Sequence, residues 1–558
     1  MPALADLHLQ LPSRLSLSRE AYVLALALLS VYLLRGVWLF LQRFRSPLRH
    51  LRGPERESLV WGNLKSLIKD DTITERWAER YGATYRMPAI FAKWRLNTID
   101  PRAVAHILSH TETYSKPDHI RVMLGGVLGE GLLIAEGEVH KRQRRIMNPS
   151  FSPGQIREVT PIFFETGAQL RDVLNSILSK SPSPDGVEID VYSWVGRAAL
   201  DIIGQAGFGY HFNALYDESN ELFRAFHAMF EAMGQAQVIG LLRNRFRILR
   251  LITTKRDKIM KASLNTTNRI GMELVRAKKA AVQQEMRLSS SKAEEGVEKS
   301  KIVGRDLLSA LIRANMAADL SPAHRMSDEE VLAQISTFIV AGHETTAAGL
   351  TWTLYSLAQN PAVQDKLRAE LSLVEDEAPN MDDLNALPYL DMVVKEALRF
   401  HSPVHGSLRQ VQHHDTIPLS HPVVDAYGKT HDTVRVQAGD FVGIEIMVMN
   451  RSKALWGEDA GEFRPERWAE ELGGANEIPG IYAHTLTFIG GPRACIGYRF
   501  SIIETKALLF TLIREFQFAA VPGKVIKNKN VIVARPYVDG ELDTGFHLPM
   551  IVSRVSKA

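Results

Sequence analysis

Phe488-Ile489-Gly490-Gly491-Pro492-Arg493-Ala494-Cys495-Ile496-Gly497 holds the only cysteine of the 558 residues, in a glycine-rich loop that runs into an apolar-periodic, helical segment from Tyr498 to Arg514. A thiolate binds metal only where its charge is stabilised, and backbone N–H groups ahead of a helix N-terminus do that. Gly491 and Gly497 would let the backbone approach a flat ligand where a side chain would collide. One cysteine makes neither a tetrahedral zinc site nor an iron–sulfur cluster. Two readings stand: a single axial thiolate, as on some haems, or an inert buried small residue.

Phe488, Gly491, Arg493, Cys495 and Gly497 fill the pattern F-x-x-G-x-R-x-C-x-G. The stretch resembles the haem-binding signature of the cytochrome P-450 family of haem-thiolate monooxygenases, and the other motifs of that family should then follow in chain order.

Outward from this loop, composition sets the frame. At 45% hydrophobic residues the chain can bury a sizeable core, and its net charge of +4 is too weak and too evenly spread for a nucleic-acid partner. With one cysteine it forms no internal disulfide, in keeping with a reducing compartment. Residues 1–20 read as a short luminal N-terminus and 21–41 as a transmembrane anchor, apolar apart from the interruption at Arg35 and Gly36. The arginines at 43, 45, 49, 52 and 56 outnumber Arg14 and Arg19 before the apolar run, which orients a single pass with the C-terminal bulk in the cytosol. Residues 42–60 read as a basic, proline-containing linker, with a single catalytic domain over 61–558 that starts near Trp61. On this topology the sequons at Asn265 and Asn450 stay unglycosylated. Ser289–Ser300 reads as an exposed loop and residues 125–129, rich in glycine, as a flexible one.

Gly137–Arg145 has helical spacing, and His140 and Arg144 at i and i+4 can reach one anionic ligand. The longest helical pattern opens on the capping box Ser327/Glu330 and ends at Asn360, before Pro361. Inside it, Ala341-Gly342-His343-Glu344-Thr345-Thr346 places a carboxylate and two hydroxyls among apolar residues. His343-Glu344 begins like a zinc-protease H-E-x-x-H, but Ala347 stands where the second histidine is needed. Glu396 and Arg399 form an i, i+3 pair, and Phe463-Arg464-Pro465-Glu466-Arg467-Trp468 follows. No G-x-G-x-x-G with its strand context and no Walker sequence is present, so nicotinamide and flavin modules are excluded and electrons must come from another protein.

The resemblance covers about residue 61 to near the C-terminus. It implies a mainly α fold with a small β portion and a haem b bound by Cys495. It assigns propionate contacts to His140, Arg144, Arg409 and Arg493, with His140 standing where many members carry tryptophan. Glu344 and Thr345 match its acid–threonine pair, which delivers protons from a locally widened helix. Glu396, Arg399 and Arg467 match its buried structural network. Phe338, Ala341, Val404 and His405 are pocket candidates for a lipophilic, terpenoid-like substrate of specialised metabolism. The segment from about Phe223 to Ile252 matches a lid beside the substrate channel. The implied activity is insertion of one oxygen atom from dioxygen at the endoplasmic reticulum membrane. Electrons would come from NADPH through a flavoprotein reductase or a cytochrome b-type donor, and Lys141, Arg142 and Arg145 could belong to the docking surface. The alternatives are a haem-binding membrane sensor or scaffold without turnover, and a peroxide-rearranging relative.

Overall fold

The computed structural model describes residues 46–555 except 91–92, 181–182, 184, 218, 235–252, 293–305, 317–324 and 531, together with residues 30, 31 and 34. The anchor proposed for 21–41 therefore lies almost wholly outside the described residues, as does the second half of the 223–252 segment. Among the described residues no helix is long and apolar enough to cross a membrane.

The helices that frame the site are α1 (Pro101–Ser109), α2 (Asp118–Leu128), α3 (Gly137–Met147), α4 (Pro153–Lys180), α5 (Val191–Phe208), α6 (Lys255–Lys292), α7 (Asp328–Gln359), α8 (Pro388–Phe400) and α9 (Tyr498–Glu515). A five-stranded sheet takes β1 (Thr84–Pro88), β2 (Trp94–Thr98), β3 (Tyr114–Ser115), β4 (Ser407–Val411) and β5 (Phe441–Ile444) in the order β1-β2-β5-β4-β3. Only the β2–β5 pairing is parallel, with Arg95 opposite Phe441. A two-stranded antiparallel hairpin, β6 (Ile526–Asn530) and β7 (Ala534–Val538), lies near the C-terminus. The architecture is mainly helical with a small sheet portion.

Two apolar cores result, a large one between the helices and a smaller one around the sheet. Helix α7 runs through the large core. It begins where the Ser327 hydroxyl accepts the Glu330 N–H at 3.2 Å and the Glu330 carboxylate accepts the Ser327 N–H at 3.0 Å. Its 32 residues span about 48 Å at about 1.5 Å each. Helix α5 crosses it closely at Gly342, where a Cβ would come within 3.0 Å of Ile203. Sequence periodicity made α7 the longest helix, but α6, at 38 residues, is longer.

Three boundaries differ from the sequence-based expectation. Packed structure begins before Trp61: Ser46 donates to Asp440 at 3.0 Å, and Leu48 and Leu51 are buried in the sheet-side core, while Leu59 and Val60 stay exposed. Gly125 and Gly126 belong to α2, and only Gly129, with φ +69°, terminates it. Ser289 to Lys292 form the last residues of α6 rather than a loop.

Candidate active site

The cysteine loop is closed by backbone bonds. Cys495 N–H donates to the Phe488 carbonyl at 2.9 Å, and Ala494 N–H donates to the Gly491 carbonyl at 3.0 Å. Gly491 sits at φ +70°, and a Cβ there would lie 2.7 Å from the Leu108 carbonyl oxygen of α1. Its absent side chain thus lets the loop meet a neighbouring helix backbone. Gly497 precedes α9 and does line the cavity.

That cavity holds about 910 Å³ of space outside the protein atoms, including the solvent at its open mouth. Its floor is Cys495, whose side chain is deep in the protein yet open to the cavity. Burial pushes the Cys495 thiol up, while the Gly497 N–H and the Arg144 guanidinium pull it down. Phe151, Ile203, Phe338 and Phe488 supply apolar walls. The Phe338 ring packs edge-on against Phe151, with centroids 5.3 Å apart.

One edge is strongly cationic. Lys116, His140, Arg144 and Arg493 line it, and Arg409 on β4 stands close enough to act electrostatically on Lys116. Helix α3 directs His140 and Arg144 to this edge one turn apart. Arg144 donates to the Ala494 carbonyl at 2.6 Å, tying α3 to the residue before the cysteine. Arg493 donates to the Ala135 carbonyl at 2.6 Å and to the Glu136 carboxylate. Arg409 donates to the Ser407 hydroxyl at 2.6 Å; burial, then Arg493, pushes its pKa down to about 10. Burial and the surrounding cations push Lys116 down to about 7 and His140 to about 3. Such crowding of positive groups, offset by Glu136 among the groups described, is costly in the protein alone and suits a dianionic ligand.

Helix α7 forms the facing wall with Ala341, Gly342, Thr345 and Thr346. Helix α7 continues through these residues, and the Thr345 hydroxyl donates back to the Ala341 carbonyl at 2.5 Å. Glu344 is not part of the wall. Its carboxylate accepts from Arg535 of β7 at 2.8 Å and from the Tyr192 hydroxyl of α5 at 3.5 Å. Phe338 and Ala341 line the cavity, but Val404 and His405 do not. The chain at 403–406 turns into β4, where the His405 carbonyl accepts the Met447 N–H and its ring is enclosed by protein.

Behind the loop, Glu396, Arg399 and Arg467 come together. Arg399 donates twice to Glu396, both at 2.8 Å, and Arg467 donates to Glu396 at 3.2 Å. Asn450, of the second sequon, is fully buried: it donates to Ser402 and Thr487 and accepts the Leu486 N–H at 2.9 Å. Sequence reasoning missed Lys116, Glu136, Tyr192, Ser501, Glu504 and Arg535, which sit far from the motifs or on motif-neighbouring turns with no distinctive spacing.

A family model for cytochrome P450 matches residues 52–537. The chain belongs to the cytochrome P450 family. It is 46% identical over 535 residues to cytochrome P450 monooxygenase 205 of Postia placenta, covering 95% of this chain and 97% of that one. Cytochrome P450 monooxygenase 128 of the same fungus is 47% identical over 519 residues, with 92% and 93% covered. Cytochrome P450 monooxygenase claQ of Ampulloclitocybe clavipes is 38% identical over 525 residues, with 90% and 93% covered. P450 membership implies a haem with a cysteine thiolate ligand and dioxygen as oxidant. The residues present fit that group: one thiol open to an apolar-walled cavity, with cations along one edge for its carboxylates.

Proposed function

We propose that this P450 hydroxylates, or otherwise oxygenates, a lipophilic substrate in specialised, terpenoid-like metabolism. Electrons come from NADPH through a flavoprotein reductase, and residues 21–41 hold the enzyme at the endoplasmic reticulum membrane with the catalytic domain in the cytosol. The observation that carries this reading is the Cys495 thiol facing an apolar cavity across from Thr345, with the cationic edge beside it.

Haem, when bound, supplies oxygen activation, so that substrate, dioxygen, two electrons and two protons give hydroxylated product and water. Cys495 would hold it through its thiolate sulfur, a ligand whose electron donation would support that oxygen activation. Lys116, His140, Arg144, Arg409 and Arg493 would hold the propionates; neutral His140 can donate one N–H without adding charge. Phe151, Phe338 and Ile203 exclude water and favour apolar substrate surface. The Thr345 hydroxyl, on the α7 wall that Thr337 and Thr346 also line, would hold a proton at Oγ1 on the cavity side. Glu344 would pass protons towards it after its ion pair with Arg535 opens.

The test is the absorption of the dithionite-reduced, carbon monoxide-bound protein. Wild type is expected to show a strongly red-shifted Soret band that Cys495→Ala lacks. The same histidine-like band in both proteins, or no haem uptake by wild type, would overturn the assignment.

A further inference from the structure

The short segment between α2 and α3 is fastened to α7 at several points. Gly131 to Ile134 form a turn in which the Ile134 and Ala135 N–H groups both donate to the Gly131 carbonyl at 2.9 Å. A Cβ on Gly131 would lie 2.6 Å from the Thr337 hydroxyl oxygen and 2.9 Å from the Ala333 carbonyl oxygen, so the turn sits flush on α7. A Cβ on Gly129 would likewise come within 3.0 Å of Ala333. Past the turn, Arg121 donates to the Ile134 carbonyl at 3.3 Å and Arg493 to that of Ala135 at 2.6 Å.

Two fully buried glutamines grip the same segment. The side-chain oxygen of Gln334, on α7, accepts the Leu132 N–H at 2.9 Å. Gln143, on α3, donates to the Glu130 carbonyl at 3.0 Å and to the Glu330 carboxylate at 3.1 Å. Each amide leaves its other polar atom, Gln334 Nε2 or Gln143 Oε1, without a partner among the described residues. An apolar side chain would fill either place without that cost, so the bonds to residues 130 and 132 are what the amides contribute. Gln334 also stands three, four and seven residues before Thr337, Phe338 and Ala341, which line the cavity. It therefore continues their stripe by one turn of α7. Yet Gln334 is shut off from the cavity, and Leu132 and Leu133 line it instead.

We propose that Gly131 and Gln334 are positioning residues that set the length of the substrate cavity. They pin the turn across α7, which makes Leu132 and Leu133 an end wall and limits how long a lipophilic substrate can be. This inference rests on the monooxygenase reading above. Neither residue touches substrate: Gly131 acts by letting the turn approach α7, and Gln334 by holding the Leu132 backbone. Because the wall is made of two leucines, the end of the substrate that meets it is hydrocarbon. Releasing the pin would let the cavity run on over Ala333 and Gln334, one further turn of α7 or about 5.4 Å.

Titration of the full-length, haem-loaded protein with N-alkylimidazoles of increasing chain length tests this, since the nitrogen fixes one end of the ligand at the iron and the Soret shift reports binding. Wild type should gain affinity up to a cut-off length, by about fourfold for each buried methylene. Gly131→Ala and Gln334→Leu should each move the cut-off to longer chains. Affinity for N-methylimidazole, which is too short to reach the wall, should stay as in wild type. An unchanged cut-off in either variant, or the uniform weakening across the series that mere loosening of the fold gives, would overturn the proposal. Hydrogen exchange at the Leu132 amide reads the pin without any ligand: both variants should exchange it about fivefold faster than wild type, and wild-type protection in either would also overturn the proposal. If Gly131→Ala does not fold, Gln334→Leu decides through both measurements. A wild type that takes up no haem would instead overturn the haem-thiolate reading, and hydrogen exchange would still decide the pin.

Discussion

Replacing Arg399 with alanine tests how the fold supports the cysteine loop. Arg399 is 0% exposed and makes five hydrogen bonds: two to Glu396, and one each to the carbonyls of Asn450, Ala460 and Glu462 at 2.8–2.9 Å. Arg399→Ala removes a donor from all three carbonyls, of which that of Glu462 keeps Arg467 at 3.5 Å, and an orphaned buried acceptor costs about 1–3 kcal/mol. Glu396 is not stranded, because the Arg464 N–H, Arg467 and Trp468 still donate to it. The loss should therefore fall near the lower end of the about 3–5 kcal/mol seen when one partner of a buried ion pair is removed. Against a total stability of about 5–15 kcal/mol that is a large fraction. The damage should also reach the site, because Asn450 both accepts from Arg399 and holds Leu486 and Thr487, immediately before Phe488. Denaturant unfolding and the haem-to-protein ratio are the assays. Arg399→Ala should lose about 3 kcal/mol and most of its haem. Arg399→Lys should recover part of the stability, since it keeps the charge but not the planar fork. A loss under about 1 kcal/mol with full haem content would refute the reasoning.

Gly491→Ala should destabilise the protein by more than the about 1–2 kcal/mol that left-handed backbone costs a non-glycine residue, because its Cβ would also press on the Leu108 carbonyl. Thermal melting and haem content check this, and an unchanged protein would contradict the close approach of loop and α1. In the haem-free protein, Lys116 titrates at about 7 when folded, below the ordinary lysine value of 10.5, so the unfolded chain binds more protons between those limits. Stability should accordingly rise with pH from about 7 towards 10.5, and Lys116→Met should flatten that rise in denaturant titrations of the haem-free protein.

Much of the site was legible because it is local. The spacing from Phe488 to Gly497 lies within one loop, and the capping box of α7 pairs residues three apart, so the chain carries those arrangements in its own order. The i, i+3 pair of Glu396 and Arg399 was equally legible. Its burial was not, since that depends on carbonyls 51 to 63 residues away. Linker, loop and pocket boundaries failed for a related reason. Leu48 is core because the sheet covers it, Gly125 is helical because α2 continues through it, and His405 leaves the cavity wall because its strand turns toward Met447.

The sequence by itself determined the family, the thiol and the long helix beside it, since each rests on residues whose spacing is set by one turn of backbone. Only the tertiary structure decided which side of that helix each acid faces. Glu344 is turned to Arg535, 191 residues away, and Glu504 is sealed against Thr346, 158 residues before it. An acid's chemistry depends on the charges and solvent around it, and those arrive from parts of the chain that only folding brings together.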